Sequence, residues 1–319
     1  MRIHRTLALG AATLALVLSA CAPGEGSSPT PAETGSQPAA TDAGTGELPA
    51  ITVGSAGFYE AALVGEIYAQ ALENAGFTVE RQLEIGERPN VQSALTAGEV
   101  DLVPEYLGGL GSYLEAEVSS DADATYDNLV EALGEMELVA LEYSPGTDAD
   151  GFVVRQETAE ELELATMSDL AEVADQLVWG LAPACPENPV CGPGLEEVYG
   201  IDIAELETET LTPCSTEMAE ALNNSAIDVA QVCTTQPDIA RFNFVLLEDD
   251  GGLQPAQNLV PVLSQELFDQ AGDEIAAALN PVTELLTTEE LTNLGVEVAV
   301  DQTSYADAAD AWLSDNGLK

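Results

Sequence analysis

The side chains able to do covalent or metal chemistry are few in this 319-residue sequence, and their types exclude most of that chemistry. There is one histidine, His4. It falls in a segment read below as a cleaved leader, so the remaining chain offers no imidazole. Ser-His-Asp and Cys-His catalysis and histidine-rich metal centres are thereby excluded. Carboxylates are the opposite case, with 57 Asp and Glu against 7 Lys and Arg. At that density carboxylate pairs arise by chance, so the pair a glycosidase needs carries no specificity. Asp121 to Asp127 begins like an EF-hand loop, but Tyr126 stands where Gly is required and Ala132 where the bidentate Glu belongs. Cys185, Cys191, Cys214 and Cys233 contain no C-x-x-C pair, which argues against zinc. An even number of cysteines in an exported chain favours disulfides. Of the three possible pairings we expect Cys185–Cys191, which closes a short proline-stiffened loop, with Cys214–Cys233 flanking a helix and a strand. No catalytic residue, metal or cofactor is expected, and the chain does not read as an enzyme.

The formal net charge is −50, the sequence pI is about 4.1 and 46% of residues are apolar, enough to build a real core. A polyanion of this density does not bind nucleic acid through phosphates and is repelled by anionic lipid. It reads as a solvated acidic surface suited to high salt, which screens self-repulsion. Arg2 and Arg5 precede an apolar run from Leu7 to Ala20 that is too short to stay in a bilayer as a spanning helix. The run ends in Leu18-Ser19-Ala20-Cys21, which resembles a bacterial lipobox. Residues 1–21 are therefore expected to be a lipoprotein signal peptide, with Cys21 the lipidation site. Residues 22–49, rich in Gly, Ser, Thr, Pro and Ala, are expected to be a flexible tether. The body is then extracytoplasmic, anchored to the outer face of the cell membrane through lipid alone.

The elements follow from periodicity. Ile51 to Ser55 predicts a strand, Glu60 to Ala75 a helix, Phe77 to Ile85 a strand, Val91 to Ala97 a helix and Val100 to Pro104 a strand. This order argues for an α/β unit with a largely parallel sheet. After the loop Ser144 to Gly151 the alternation restarts, with strands at Phe152–Arg155, Leu177–Ala182, Leu206–Leu211, Val229–Cys233 and Phe244–Glu248. The segment from Gln257 to Lys319 reads as mostly helical, with a strand-like Val296–Val300. Two such units with a returning tail suggest two lobes and a ligand cleft between them.

Several stretches carry a family resemblance. They are Gly54-Ser55 with Phe58, Gly65 to Glu73, Ala94 to Leu102 and Pro104-Glu105-Tyr106-Leu107-Gly108. Later come Thr166 to Leu170, Pro193 to Gly200 and Leu246 to Asp250. Together they resemble the substrate-binding lipoproteins of osmoprotectant ABC importers, of the glycine betaine, choline and carnitine type. The resemblance implies an α/β, two-lobed type II periplasmic-binding-protein fold. Lobe 1 would comprise residues 50–147 plus 256–319 and lobe 2 residues 148–255, with Ser144–Gly151 and Asp249–Asn258 as the crossovers. The implied function is capture of a small quaternary-ammonium or similar osmoprotectant by lobe closure and its delivery to an ABC permease and ATPase complex.

A quaternary ammonium has no N–H, so aromatic faces must hold it, at about 0.5–2 kcal/mol per ring. Tyr106 matches a ring-bearing position of the family, and Phe58 and Tyr59 lie in the loop after the first strand, which faces the cleft in such folds. Where the family has Lys-Asn in that loop, this chain has Ala56-Gly57. Two further ring positions align with Asp150 and with Cys233, just before Thr234 and Thr235. The expected ligand set is thus Phe58, Tyr59, Tyr106, Asp150, Thr234 and Thr235, without a full four-ring cage. Arg155 and Arg241 are the second-lobe candidates for clamping a carboxylate. The competing readings are an acidic structural or adhesive surface lipoprotein, or a carboxylate-based exported hydrolase.

Overall fold

The computed structural model describes residues 48–319. The leader, Cys21 and all but the last two tether residues lie outside the described residues. Among the described residues, ten strands form two five-stranded sheets. The first contains β1 (Ala50–Gly54), β2 (Thr78–Gln82), β3 (Leu102–Tyr106), β4 (Leu138–Ala140) and β10 (Leu259–Ser264), in the order β2-β1-β3-β10-β4. The second contains β5 (Asp150–Arg155), β6 (Val178–Leu181), β7 (Glu207–Thr210), β8 (Val229–Cys233) and β9 (Phe244–Leu246), in the order β7-β6-β8-β5-β9. Among the described residues no helix is long and apolar enough to cross a membrane.

Each sheet is covered on both faces, and the strand sequences show why. Alternate side chains of a strand point to opposite faces. In β10, Leu259 and Leu263 join one core with Ile51, Ile67 and Leu279, while Val260 and Val262 join another with Leu107, Leu129 and Leu133. In β5, Phe152 and Val154 pack with Trp179 and Val229, whereas Val153 packs with Met218 and Leu222. The Tyr59–Asn74 helix is buried nearly all round, because the Gln265–Leu285 and Tyr305–Asp315 helices cover it. Arg81 of β2 ties that helix to the sheet edge through Glu66 and Glu73 at 2.7 Å each.

The expected largely parallel arrangement holds for four strands of each sheet, and the fifth is reversed. β1 runs parallel to β2 and β3, and β6 to β7 and β8. β10 is antiparallel to β3 and β4, and β5 to β8 and β9. Each reversed strand is the first after the chain crosses from one sheet to the other, so it enters its sheet from the opposite end. The tail expectation needs correction. Val296–Val300 is a helical turn, and the strand of that region is Leu259–Ser264 at its start. Its unbroken apolar run fits a strand buried on both faces, a pattern that periodicity does not separate from a helix.

The two crossing segments run side by side. Thr147 pairs with Asn258 in an antiparallel bridge, and the Asp148 N–H donates to the Gln257 carbonyl at 3.1 Å. Both expected disulfides are formed, Cys185–Cys191 and Cys214–Cys233. Asp121 caps the Ala122–Gly134 helix, accepting from the Ala124 N–H at 3.0 Å. That is a helix-start role for the residue that opens the EF-hand-like run.

Candidate ligand-binding site

β1 and β3 are parallel neighbours, so their carboxyl ends open onto one edge of the first sheet. In open α/β sheets that edge is where ligands sit. Phe58 is the extended residue preceding the Tyr59–Asn74 helix, and Tyr106 ends β3. Their ring centroids lie 6.1 Å apart. Phe58 is 42% exposed, while Tyr106 is 6% exposed. Tyr59, half-buried, lies against Gly295, where an added Cβ would be 3.2 Å from its ring and 2.9 Å from Pro237 of the other lobe. The missing side chain at Gly295 lets the lobes meet beside Tyr59.

The centre of the cluster is a residue that sequence reasoning missed. Glu60 is 2% exposed, and its Oε1 accepts from the Tyr106 hydroxyl at 2.6 Å. Its Oε2 is buried without a hydrogen-bond partner. Burial, reinforced by the Asp148 carboxylate, pushes the Glu60 pKa up to about 7, against the Thr235 and Tyr106 hydroxyls, which favour the charged form. Asp148, in the first crossover, also carries a buried oxygen, Oδ1, without a partner. Burial raises its pKa, and the Asp150 charge adds to this, while Thr235 opposes through its hydroxyl and its N–H. Thr235, 1% exposed, follows β8 and so brings the second lobe to both acids. The phenols of Tyr59 and Tyr106 are both held well above their usual range, first by burial and then by the Glu60 and Asp148 charges. Asp238 also acts on Tyr59; its own carboxylate accepts from Gln236 at 3.1 Å and from Arg241 at 3.2 Å.

Of the six expected ligand residues, the structure brings Phe58, Tyr59, Tyr106 and Thr235 together. Asp150 and Thr234 lie beside them on the crossover wall. The Thr234 hydroxyl donates to the Thr147 carbonyl at 2.9 Å and accepts from the Ala149 N–H at 3.0 Å, so it is committed to holding the first crossover. Asp150 opposes Cys233 in the β5–β8 ladder. Its pKa is raised by burial, against a hydrogen bond with Gln231. With Thr147, Thr234, Glu248 and Asn258 it lines a cavity of about 490 Å³ along the crossovers. An Asp150 oxygen lies within 4.8 Å of the Cys214 and Cys233 sulfurs, but the disulfide leaves no thiolate to bind metal.

The candidate carboxylate clamps fare differently. Arg155 is occupied by the Leu222 and Ile227 carbonyls and by Asp228 at 2.6 Å, a structural role. Arg241 pairs with Asp238 and covers the Phe242 ring at 4.7 Å. The basic group beside the aromatic pair is Arg88. It bonds Glu105 at 3.0 Å in a pocket of about 160 Å³ shared with Phe58 and Tyr106.

Glu60 escapes notice in sequence because an acid in a helix's first turn normally reads as a solvated partner of the helix dipole. The available signal is its company, since Ala61, Ala62, Leu63 and Val64 follow it without a polar break. Asp148 is hidden by its loop, which has four neighbouring polar or small residues and no periodicity. Asp238 follows a proline and reads as an ordinary helix-start acid.

Two sheets joined by two paired crossovers, with aromatic and carboxylate groups of both lobes meeting between them, define a two-lobed solute-binding protein. Residues 49–315 match the family described as the substrate binding domain of ABC-type glycine betaine transport systems, and the chain belongs to that family. It is 26% identical over 268 residues to the glycine betaine-binding protein YehZ of Escherichia coli (strain K12), covering 81% of this chain and 88% of that protein. It is 25% identical over 271 residues to a glycine-betaine-binding protein of Pseudomonas aeruginosa, covering 82% and 86%. The solved apo structure of YehZ superposes with a TM-score of 0.76 at 25% identity, over 84% of this chain and 99% of that one. The family is one of transporter solute-binding proteins, which is not an enzyme class.

Proposed function

We propose that this protein captures a small cationic or zwitterionic osmolyte of the glycine betaine, choline and carnitine class and hands it to an ABC permease with its ATPase. The observation that carries the reading is the meeting of Tyr59, Glu60 and Tyr106 from one sheet with Asp148 and Thr235 from the crossover and the other. Lobe 1 is residues 50–147 plus 256–319, lobe 2 is residues 148–255, and the paired crossovers are the hinge. A few residues suffice to absorb such a rotation. The ligand's cationic end faces Glu60, Asp148 and the rings of Tyr59 and Tyr106, with Phe58 at the mouth; Asp150 and Thr234 support the wall. A ligand carboxylate meets Arg88. No bond is made or broken, and closure presents the two-lobed surface to the permease. Lipidation at Cys21 and the tether of residues 22–49 keep the body beside the membrane.

Calorimetry and solution scattering at high salt test this with a panel of such osmolytes. The expected result is saturable binding of one class accompanied by compaction. Absence of binding across the panel, or binding without any change of shape, would refute it.

A further inference from the structure

Among the described residues, five buried side-chain oxygens lack a partner, and two of them, Glu60 Oε2 and Asp148 Oδ1, belong to this one cluster. Glu60 is 2% exposed, and its free oxygen is shut off from solvent. Neither oxygen has a donor in hydrogen-bond geometry; the Thr235 hydroxyl, which acts on both acids, has a single proton to give. Buried acceptors are normally paired, and a charged one left bare is more costly than a neutral one. A fully methylated nitrogen beside these carboxylates would leave both oxygens without a hydrogen bond, since it has no N–H to give.

Building on the osmolyte-binding reading above, we propose that the cation held between Glu60 and Asp148 carries N–H donors. It is a protonated amine or an amidinium rather than a quaternary ammonium. Such a group keeps the attraction to the Tyr59 and Tyr106 faces and adds a charge-assisted hydrogen bond to one carboxylate or both. Choice among ligands then follows from pairing, because a site built around acceptors rejects an analogue lacking the donor.

The test is a pairwise comparison by calorimetry at pH 8 on the intact body. It sets glycine betaine against N,N-dimethylglycine and choline against N,N-dimethylethanolamine, with ectoine as an amidinium. The N–H member of whichever pair binds is expected to be tighter by about tenfold or more. Binding of ectoine alone also supports the assignment. In Glu60→Gln and Asp148→Asn the preference should shrink, through loss of the N–H ligand rather than gain of the methylated one. Equal or tighter binding of glycine betaine or choline than of its N–H counterpart overturns this inference while leaving the osmolyte reading intact. Binding of none of the five overturns both. The ligand series needs only the wild-type protein, so it stands even if a variant fails to fold.

Discussion

Replacing Glu60 with Gln should stabilise the ligand-free protein at pH 8 and do little at pH 4.5. The side chain is almost wholly buried, and its pKa rises from 4.5 to about 7 on folding, chiefly through burial. A carboxyl whose folded pKa exceeds its unfolded one binds more protons folded than unfolded between those values. Stability therefore falls as pH rises through the window, and the full cost is present above about 7. At about 1.36 kcal/mol per pH unit, the gap amounts to roughly 3 kcal/mol. Gln keeps an oxygen for the Tyr106 hydroxyl, carries no charge to bury, and offers an N–H₂ where Oε2 was bare. For a domain of this size about 3 kcal/mol corresponds to a Tm rise of roughly 6–12 °C. Thermal melts of wild type and Glu60→Gln from pH 4.5 to 8.5, without ligand, should show two curves that meet at the acid end and separate through pH 5–7. A variant less stable than wild type by the same amount at both ends would refute the reasoning, because the lost contacts would then outweigh the ionisation cost at every pH.

Thr234→Val should cost about 1–3 kcal/mol, since the Ala149 N–H and the Thr147 carbonyl lose their partner. Hydrogen exchange should speed up at Thr147 to Ala149 more than elsewhere in the second lobe. Opening Cys214–Cys233 by the double change to Ser should lower stability by about 3 kcal/mol, from the loop entropy of its 19-residue separation, as read by melts with and without reductant. Sodium chloride should raise Tm steadily from low to molar concentration, because a formal charge of −50 repels itself across the surface and salt screens it. A flat salt response would place the acids far enough apart, or paired well enough, for self-repulsion to be negligible.

What sequence made legible depended on the kind of information each residue carries. Val229–Cys233 was readable residue for residue, because its apolar run is short and bounded by polar residues. Short helices such as Leu107–Tyr113 were not, since Gly108, Gly109 and Gly111 argue against a helix that is held by packing on the second crossover. The strand Leu259–Ser264 was hidden for the opposite reason. It is apolar throughout, because both of its faces are covered, and only its antiparallel partners reveal what it is. In the site, Tyr106 and Thr235 stood out through the family pattern around them. Glu60 and Asp148 did not, because an acid's chemical meaning comes from burial, and in a chain this acidic neither type nor spacing reports it. Thr234 was legible as a position but not as a role, which the crossover backbone decides.

The same acids explain why closure can be made conditional on ligand. Glu60 belongs to the first lobe, Asp148 to the crossover, and Thr235 and Asp238 to the second lobe, and all converge on Tyr59. With the lobes meeting as they do, Glu60 and Asp148 are held near one another away from water, with one oxygen of each unpaired and both pKa values driven up. Part of the closing free energy is then spent on keeping the acids charged or on protonating them. On the proposed reading, a cation held between the two carboxylates offsets that cost where the lobes meet around it. Its differential affinity for the closed form is therefore what shifts the equilibrium, as any ligand-driven conformational change requires. A neutral solute would leave that repulsion in place, so on the proposed reading charge, more than shape, selects the molecules that close the protein.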